Sequence, residues 1–349
     1  MSVAYRAVQW NRQKYIYDAV LLAGVALYLL IFIYGTPLLD ANADPKNVEI
    51  RAFGSAAFIL LHVILSIGPL CRLDSRFLPL LYNRRHMGVT MCLLALYHAE
   101  LVLGWYHAFG NVEPIVSLLS SNLEFQRLFS FPFEMLGLGA LVILVFMAAT
   151  SHDFWLVHLT APVWKALHMG VYLAWLLVVC HVLLGALQSN KEPGLAVLTV
   201  AGALWIIALH VIAGRRERGT DQPADSGSDG LVSVGAVTDI PENRARIVTA
   251  AGERIAVFRY DGKVSAISNV CQHQNGPLGE GRIIDGLVTC PWHGYQYDPA
   301  CGASPPPFTE KIPTFEVTVR GGQVFLNPKP RPAGTYTAPA LIPLVQEEV

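Results

Sequence analysis

Two short segments near the C-terminal end carry residue types that bind iron or zinc. Cys271-Gln-His273 and Cys290-Pro-Trp-His293 repeat the order thiol then imidazole, with sixteen residues between them. Two thiolates on one iron and two neutral imidazoles on the other complete the protein ligands of a two-iron, two-sulfur cluster. The same four side chains suit a tetrahedral zinc ion. Zinc fingers, however, pair Cys with Cys and His with His along a ββα unit, whereas each segment here holds one of each among strand-forming residues. The cluster is therefore the expected occupant. Its chemistry is one-electron transfer, so it cannot accept hydride.

A second set of histidines stands in the opposite setting. His62, His98, His168 and His181 lie inside long apolar runs. An imidazole in hydrocarbon has no water to satisfy it and must pair, bond a backbone group or bind a ligand. His98 lies thirteen residues past Arg85, and His181 sixteen past Lys165. On parallel helices those positions differ by only about 5 Å in depth, a match for two axial imidazoles on one haem. His168 falls roughly 20 Å nearer the other face, where His86 is the candidate partner for a second haem. The alternative for His86 is a headgroup-facing position beside Arg84 and Arg85. His62 is at a depth similar to His98 and reads as a structural hydrogen-bonder, with ligation as the other possibility. Glu100 reads as reaching the outer surface, with proton relay as its alternative; His107, His152, His158 and His210 read as interfacial.

These residues need two kinds of element to hold them. Hydrophobic residues make up 53 % of the 349 and charged residues 15 %, against about 25 % charged in a soluble domain. Six runs approach the roughly 20 residues that cross a bilayer: Ala19–Leu39, Ala52–Cys71, Met87–Tyr106, Met135–His152, Ala166–Asn190 and Gly194–Gly214. An even number of spans puts both termini on one side. Lys and Arg number eleven on that side and four on the other, so both termini are expected in the cytoplasm. No cleavable signal peptide is expected, and the protein reads as a multi-pass protein of the cytoplasmic membrane. Residues 215–230 are polar and read as a flexible linker. From Leu231, β-type runs such as RIAVFRY and KVSAIS alternate with Gly and Asp turn signals, as in a small all-β domain. The expected division is 1–18 N-terminal segment, 19–214 six transmembrane helices, 215–230 linker, 231–328 β domain and 329–349 Pro-rich tail. No internal repeat is expected. A net charge of −1 argues against nucleic acid, and the six cysteines do not form a disulfide framework.

Residues 231–328, with CQHQNGPLGEG, CPWHGYQYD and the closing GGQVFLNP, resemble the Rieske [2Fe–2S] family. That resemblance implies Cys271, His273, Cys290 and His293 as cluster ligands. Quinol-oxidising members carry an additional cysteine in each loop, forming a disulfide; Gly276 and Trp292 stand at those positions here. The pattern is thus closer to the Rieske ferredoxins and ring-hydroxylating oxygenases, and a potential toward the bottom of the roughly −150 to +300 mV Rieske range is implied. RRHMGVTMCLLALYH at 84–98 and WKALHMGVYLAWLLVVCH at 164–181 resemble the ferric-reductase-like transmembrane domain. The likeness is strongest to the haem-binding membrane subunit of the bacterial periplasmic methionine sulfoxide reductase system. It implies haem b, with His98, His168 and His181 as ligands.

Ferric reductases and NADPH oxidases append a flavin and nicotinamide module to such a core, and no G-x-G-x-x-G stands between a strand and a helix here. An external cytoplasmic flavoprotein reductase or ferredoxin is therefore the expected electron donor. The expected acceptor, beyond one or two haems b, is a quinone, a periplasmic partner or a metal ion. Terminal reduction of ferric ion or oxygen at the outer haem, and a non-enzymatic redox sensor that gates a partner, are the alternatives.

Overall fold

The computed structural model describes residues 12–81, 83–151, 155, 159, 161–189, 193–220, 230–272, 276–291, 294–306 and 308–343. They form two compact units, one of helices over Trp10–Leu70 and Asn83–Val211, the other centred on Ile212–Val349 with Cys71–Tyr82.

The helical unit rests on α1 (Arg12–Leu39), α2 (Pro45–Leu73), α3 (Arg84–Val102), α4 (Phe133–Ala149), α5 (Ala161–Leu184) and α6 (Pro193–Thr220). Among the described residues five stretches are long and apolar enough to cross a membrane: Lys14–Leu39, Pro45–Leu73, Arg84–His107, Ala166–Gln188 and Pro193–Arg216. The sixth expected span corresponds to α4, whose 17 residues are fewer than in those five. At 1.5 Å per residue α4 is about 25 Å long, at the short limit for a hydrocarbon core. Outward-facing Leu, Ile and Val are abundant on α1, α5 and α6, as a lipid-facing surface requires. α3 runs on into a π-helical turn, Leu103–His107, and a short helix, Pro114–Ser120, follows.

Three features depart from the sequence expectation. First, α6 does not stop at Gly214 but continues through Arg215–Thr220, six residues into the expected linker. Arg and Glu are good helix formers, so the loss of hydrophobicity there ends the span without ending the helix. Second, Ala340–Leu341, in the expected tail, is a strand. Third, the α2–α3 and α4–α5 pairs share one internal arrangement, described below, although no repeat was expected.

The β unit is antiparallel throughout. One sheet has the order β1-β10-β9, from Val232–Ala236, Gln323–Leu326 and Val317–Arg320. The largest runs β11-β4-β3-β2, from Ala340–Leu341, Lys263–Ser268, Glu253–Tyr260 and Arg244–Ala250, with β8 (Thr314–Phe315) also on β4. A small sheet, β5-β6-β7, uses Arg282–Ile284, Leu287–Thr289 and Gln296–Tyr297. Asp-Gly pairs set two of the hairpins. Asp261-Gly262 (φ 45° and 68°) turns β3 into β4, and Asp285-Gly286 (φ 52° and 78°) turns β5 into β6, both with the two positive φ values that a type I′ turn demands. Two buried clusters result: one around Ile255, Val257, Phe315 and Leu326, the other around Phe258, Ile267, Tyr297 and Ile312.

Candidate functional site

The second β cluster holds both cysteines of the paired motif. Cys271 is 1 % exposed and Cys290 2 %. Each heads a loop closed in the same way. Cys271 N–H donates to Gly276 O at 3.0 Å, and Cys290 N–H donates to Tyr295 O at 2.8 Å. Each cysteine thus bonds the carbonyl five residues on, so the loops return to their starting points. The first loop leaves β4 and ends at a Val270–Pro277 bridge; the second joins β6 to β7. Gly294 takes φ 72° and its N–H reaches Cys290 O at 2.9 Å, a conformation that a residue with Cβ adopts only with strain. Below the first loop, Asn269 accepts from Leu278 N–H through its backbone oxygen (2.9 Å) and from Gly279 N–H through Oδ1 (2.6 Å).

Tyr297, fully buried on β7, ties the two loops together. Its hydroxyl accepts from Gln272 N–H at 2.9 Å and lies 3.5 Å from Cys271 Sγ, placed to donate to a thiolate. Burial, and then the thiol beside it, pushes the Tyr297 phenol well above its ordinary range, so it stays a proton donor. Tyr295 packs against Tyr297 at 5.4 Å and bonds Glu310, and burial with that carboxylate raises its phenol too. His273 and His293 lie outside the described residues. The donor chemistry fits a cluster. Two buried thiols, each held by a backbone bond and one beside a phenol donor, are suited to bind metal as thiolates.

In the helical unit His98 and His181 come together, their ring centroids 6.5 Å apart and their planes at 85°. Two metal–nitrogen bonds of about 2 Å each, plus the half-widths of two imidazoles, span roughly that distance. His98 Nδ1–H donates to Ile50 O at 2.9 Å, and His181 Nδ1–H donates to Phe133 O at 2.9 Å. A carbonyl on Nδ1 selects the tautomer whose Nε2 lone pair is available, the usual second partner of a metal-ligating histidine. Gly54 and Gly137 give the rings their space. A Cβ at Gly54 would stand 2.8 Å from His98 Nδ1, and one at Gly137 2.8 Å from His181 Nδ1. An axial imidazole pair for haem fits this arrangement. Sequence reading anticipated the histidines by depth but not the glycines or the carbonyls.

The other described histidines of the helical unit also meet protein groups. Both nitrogens of His62 are engaged: Nδ1 bonds Phe58 O at 2.9 Å, and Nε2 accepts from Trp175 Nε1–H at 3.2 Å. With both nitrogens so engaged, His62 has no lone pair left for a ligand. His168 bonds Trp164 O through Nδ1 at 3.0 Å, stacks on the Trp164 ring at 3.7 Å and has Nε2 3.4 Å from Ser151 Oγ. His86 Nδ1 lies 2.7 Å from Asp18 Oδ2 and 3.1 Å from Asn83 Nδ2. His107, expected at an interface, is buried, with Nδ1 3.1 Å from Ser117 Oγ and Nε2 3.6 Å from Glu134 Oε1. His210 bonds Ile206 O and the Tyr172 hydroxyl. His152 and His158 fall outside the described residues. Glu100 is exposed and lines a groove of about 750 Å³ with Leu96, Leu103 and Glu113.

Comparison with known proteins finds two matches along the chain. Residues 230–316 match the family described as Rieske [2Fe-2S] domain, and residues 53–179 match the ferric reductase like transmembrane component. The chain is 33 % identical over 95 residues to the anthranilate 1,2-dioxygenase ferredoxin subunit of Burkholderia cepacia, covering 27 % of this chain and 88 % of that protein. It is 33 % identical over 133 residues to cholesterol 7-desaturase nvd 1 of Ciona intestinalis, covering 38 % of this chain and 26 % of the desaturase. The chain therefore spans about a quarter of that relative's length. Among solved structures, the ferredoxin of carbazole 1,9a-dioxygenase from Nocardioides aromaticivorans IC177 aligns at 25 % identity and TM-score 0.27, over 28 % of this chain and 98 % of the ferredoxin.

Proposed function

Because the chain belongs to the Rieske [2Fe–2S] family through residues 230–316 and joins that domain to a ferric-reductase-like transmembrane component, we propose that it conducts single electrons across a membrane between a cytoplasmic donor and an outward acceptor, using a [2Fe–2S] cluster and haem b. A membrane electron-transfer role follows from the two domains; the donor, acceptor and haem route are the finer reading. The cluster and the haem, when bound, supply one-electron redox chemistry and no hydride chemistry.

The chain's own residues divide the labour. Cys271 and Cys290, with His273 and His293, hold the cluster, and the loop-closing bonds on the cysteine amides fix where the sulfurs point. Tyr297 donates toward Cys271 and favours the more negative, reduced state. His98 and His181 hold the haem. His168, which the family resemblance implies as a ligand, and His86 stand beside this set. Their Nδ1 atoms meet Trp164 O and Asp18 Oδ2, the same kind of second partner that His98 and His181 have. A second haem held by this inner pair is thus the alternative to a single one. The single observation that carries the reading is the His98–His181 pair, 6.5 Å apart, on helices that bear the ferric-reductase-like match.

The donor is a flavoprotein reductase or a ferredoxin, and the acceptor a quinone, a periplasmic redox partner or a metal ion. The Rieske ferredoxin likeness supports an external donor. The bias of Lys and Arg supports both termini and the Rieske domain in the cytoplasm, with the chain in the inner membrane. A C-terminal alkaline phosphatase fusion is then inactive and a fluorescent protein fusion bright; active phosphatase would reverse the orientation. Rapid mixing tests the circuit. Reduction of the cluster is followed by a shift of the haem Soret band within one turnover, and a cluster that reduces while the Soret band stays oxidised sinks the conduit.

A further inference from the structure

The supports of His98 and His181 are copies of one another. Ile50 O, Gly54 and His98 recur as Phe133 O, Gly137 and His181, each 83 residues later and with matching distances of 2.9 Å to the carbonyl and 2.8 Å to the absent Cβ. Ala57 and Leu61 recur at the same offset as Ala140 and Leu144, and Leu93 and Leu94 as Leu176 and Leu177. We infer that the helical unit is an internal duplication whose two glycine–carbonyl cradles make Gly54 and Gly137 positioning residues for one crossed pair of imidazoles. The inference rests on the haem reading above.

The physical case starts from space. With the side chain absent at Gly54, the His98 ring lies against the α2 backbone, and its Nδ1 reaches a carbonyl one turn back on that helix. Gly137 and α4 do the same for His181. The methyl group of alanine would meet an imidazole ring at 2.8–2.9 Å, too close for any carbon–nitrogen contact, so the ring must turn and release its carbonyl. Each ring is thus fixed in tautomer and in rotation. The outcome is the 85° angle between the two planes.

The copies diverge toward the other end of the helices. His-Met-Gly-Val stands at 86–89 and again at 168–171, but twelve residues lead from His86 to His98 and thirteen from His168 to His181. One residue turns an α-helix by about 100°, so the inner histidines do not repeat the facing relation of the outer pair. Their Nδ1 supports differ as well: Asp18 Oδ2 on a separate helix for His86, and Trp164 O on the same helix for His168. Among the described residues the glycine–carbonyl cradle therefore recurs at the outer pair alone.

Perpendicular axial imidazoles leave two of the iron d orbitals nearly equal in energy, which makes a low-spin ferric signal strongly anisotropic. Parallel planes split those orbitals and give an ordinary rhombic signal. The full chain, expressed with excess haem precursor and purified in detergent, should show the strongly anisotropic electron paramagnetic resonance signal. A haem spectrum with ordinary rhombic signals alone overturns the inference without any variant. Gly54→Ala and Gly137→Ala should each lose most of the haem or convert the signal to high spin. Gly24→Ala, where nothing lies within 4 Å, should match the unsubstituted chain. Cluster signal and monodispersity identify variants that fold. A folded Gly54→Ala or Gly137→Ala chain with an unchanged haem signal refutes the cradle. Full haem in both His98→Ala and His181→Ala refutes the haem reading itself.

Discussion

The two candidate redox sites differ in how far along the chain their supports lie. In the β unit each cysteine is tied to a carbonyl five residues away, inside its own loop. In the helical unit His98 and His181 are each tied to a carbonyl 48 residues away, on a different helix. The first site is prepared by local turns and needs only a β framework to bring two loops together. The second exists only when helices dock in register, since a shift of one residue moves a side chain by about 100° around its axis. Local encoding makes a motif; long-range encoding makes a site without one.

The largest effect should come from breaking one site while watching the other. Cys271→Ser or Cys290→Ser should remove the cluster's iron and its rhombic signal completely while the haem absorption stays. Loss of both in one variant would show that the sites are not independent. Conversely, His98→Ala or His181→Ala should empty the haem site and leave the cluster signal intact, as pyridine haemochrome and electron paramagnetic resonance would report. A finer change sharpens the local side of the comparison. Tyr297→Phe removes one hydrogen bond to Cys271 Sγ, worth about 1 kcal/mol, so the cluster midpoint potential should fall by about 40 mV. An unchanged potential would show that the phenol serves packing alone.

The smallest expected effect is in the tail of the β unit. The Arg331 guanidinium, with the Asn327 amide, holds the Glu316 carboxyl below the usual carboxylate range. A depressed folded pKa means that the stabilisation is present above the unfolded value near 4.3 and is lost as pH falls through the folded one. Acid should therefore loosen this region before it reaches the cluster. Hydrogen exchange at Arg331 should rise below about pH 4, and Glu316→Gln should remove that step. The buried cluster loops should show no matching change.

Legibility in the sequence follows the same division. Cys271-Gln-His273 and Cys290-Pro-Trp-His293 announce a metal site because their spacing is short. The C-terminal end of α2 was legible, since Arg72 closes an uncharged run, whereas its first two turns precede Ala52 and carry Lys46, Glu49 and Arg51. Depth counting brought His98 and His181 to one level, but nothing near them in sequence names Ile50, Gly54, Phe133 or Gly137. The duplication left one readable trace, the repeated His-Met-Gly-Val, obscured by the one-residue change in spacing beyond it. Arg215–Thr220 read as linker because polarity was taken for a chain break, whereas helix propensity carried α6 onward. Ala340–Leu341 has no strong strand pattern; the open edge of β4 selects it.

That edge has a consequence for the solution behaviour of the protein. β4 is covered on one side by β3 and on the other in two pieces, β8 at Ala266–Ile267 and β11 at Lys263–Val264. The chain reaches β11 through the Thr314–Arg331 bridge and a bond between the Thr314 and Thr337 hydroxyls. Without the residues after Pro328, Lys263 and Val264 would present unpaired backbone groups to any other extended chain. The closing residues thus act as a stopper against intermolecular strand addition. A version cut at Pro328 would keep both cluster loops yet gain a sticky flank.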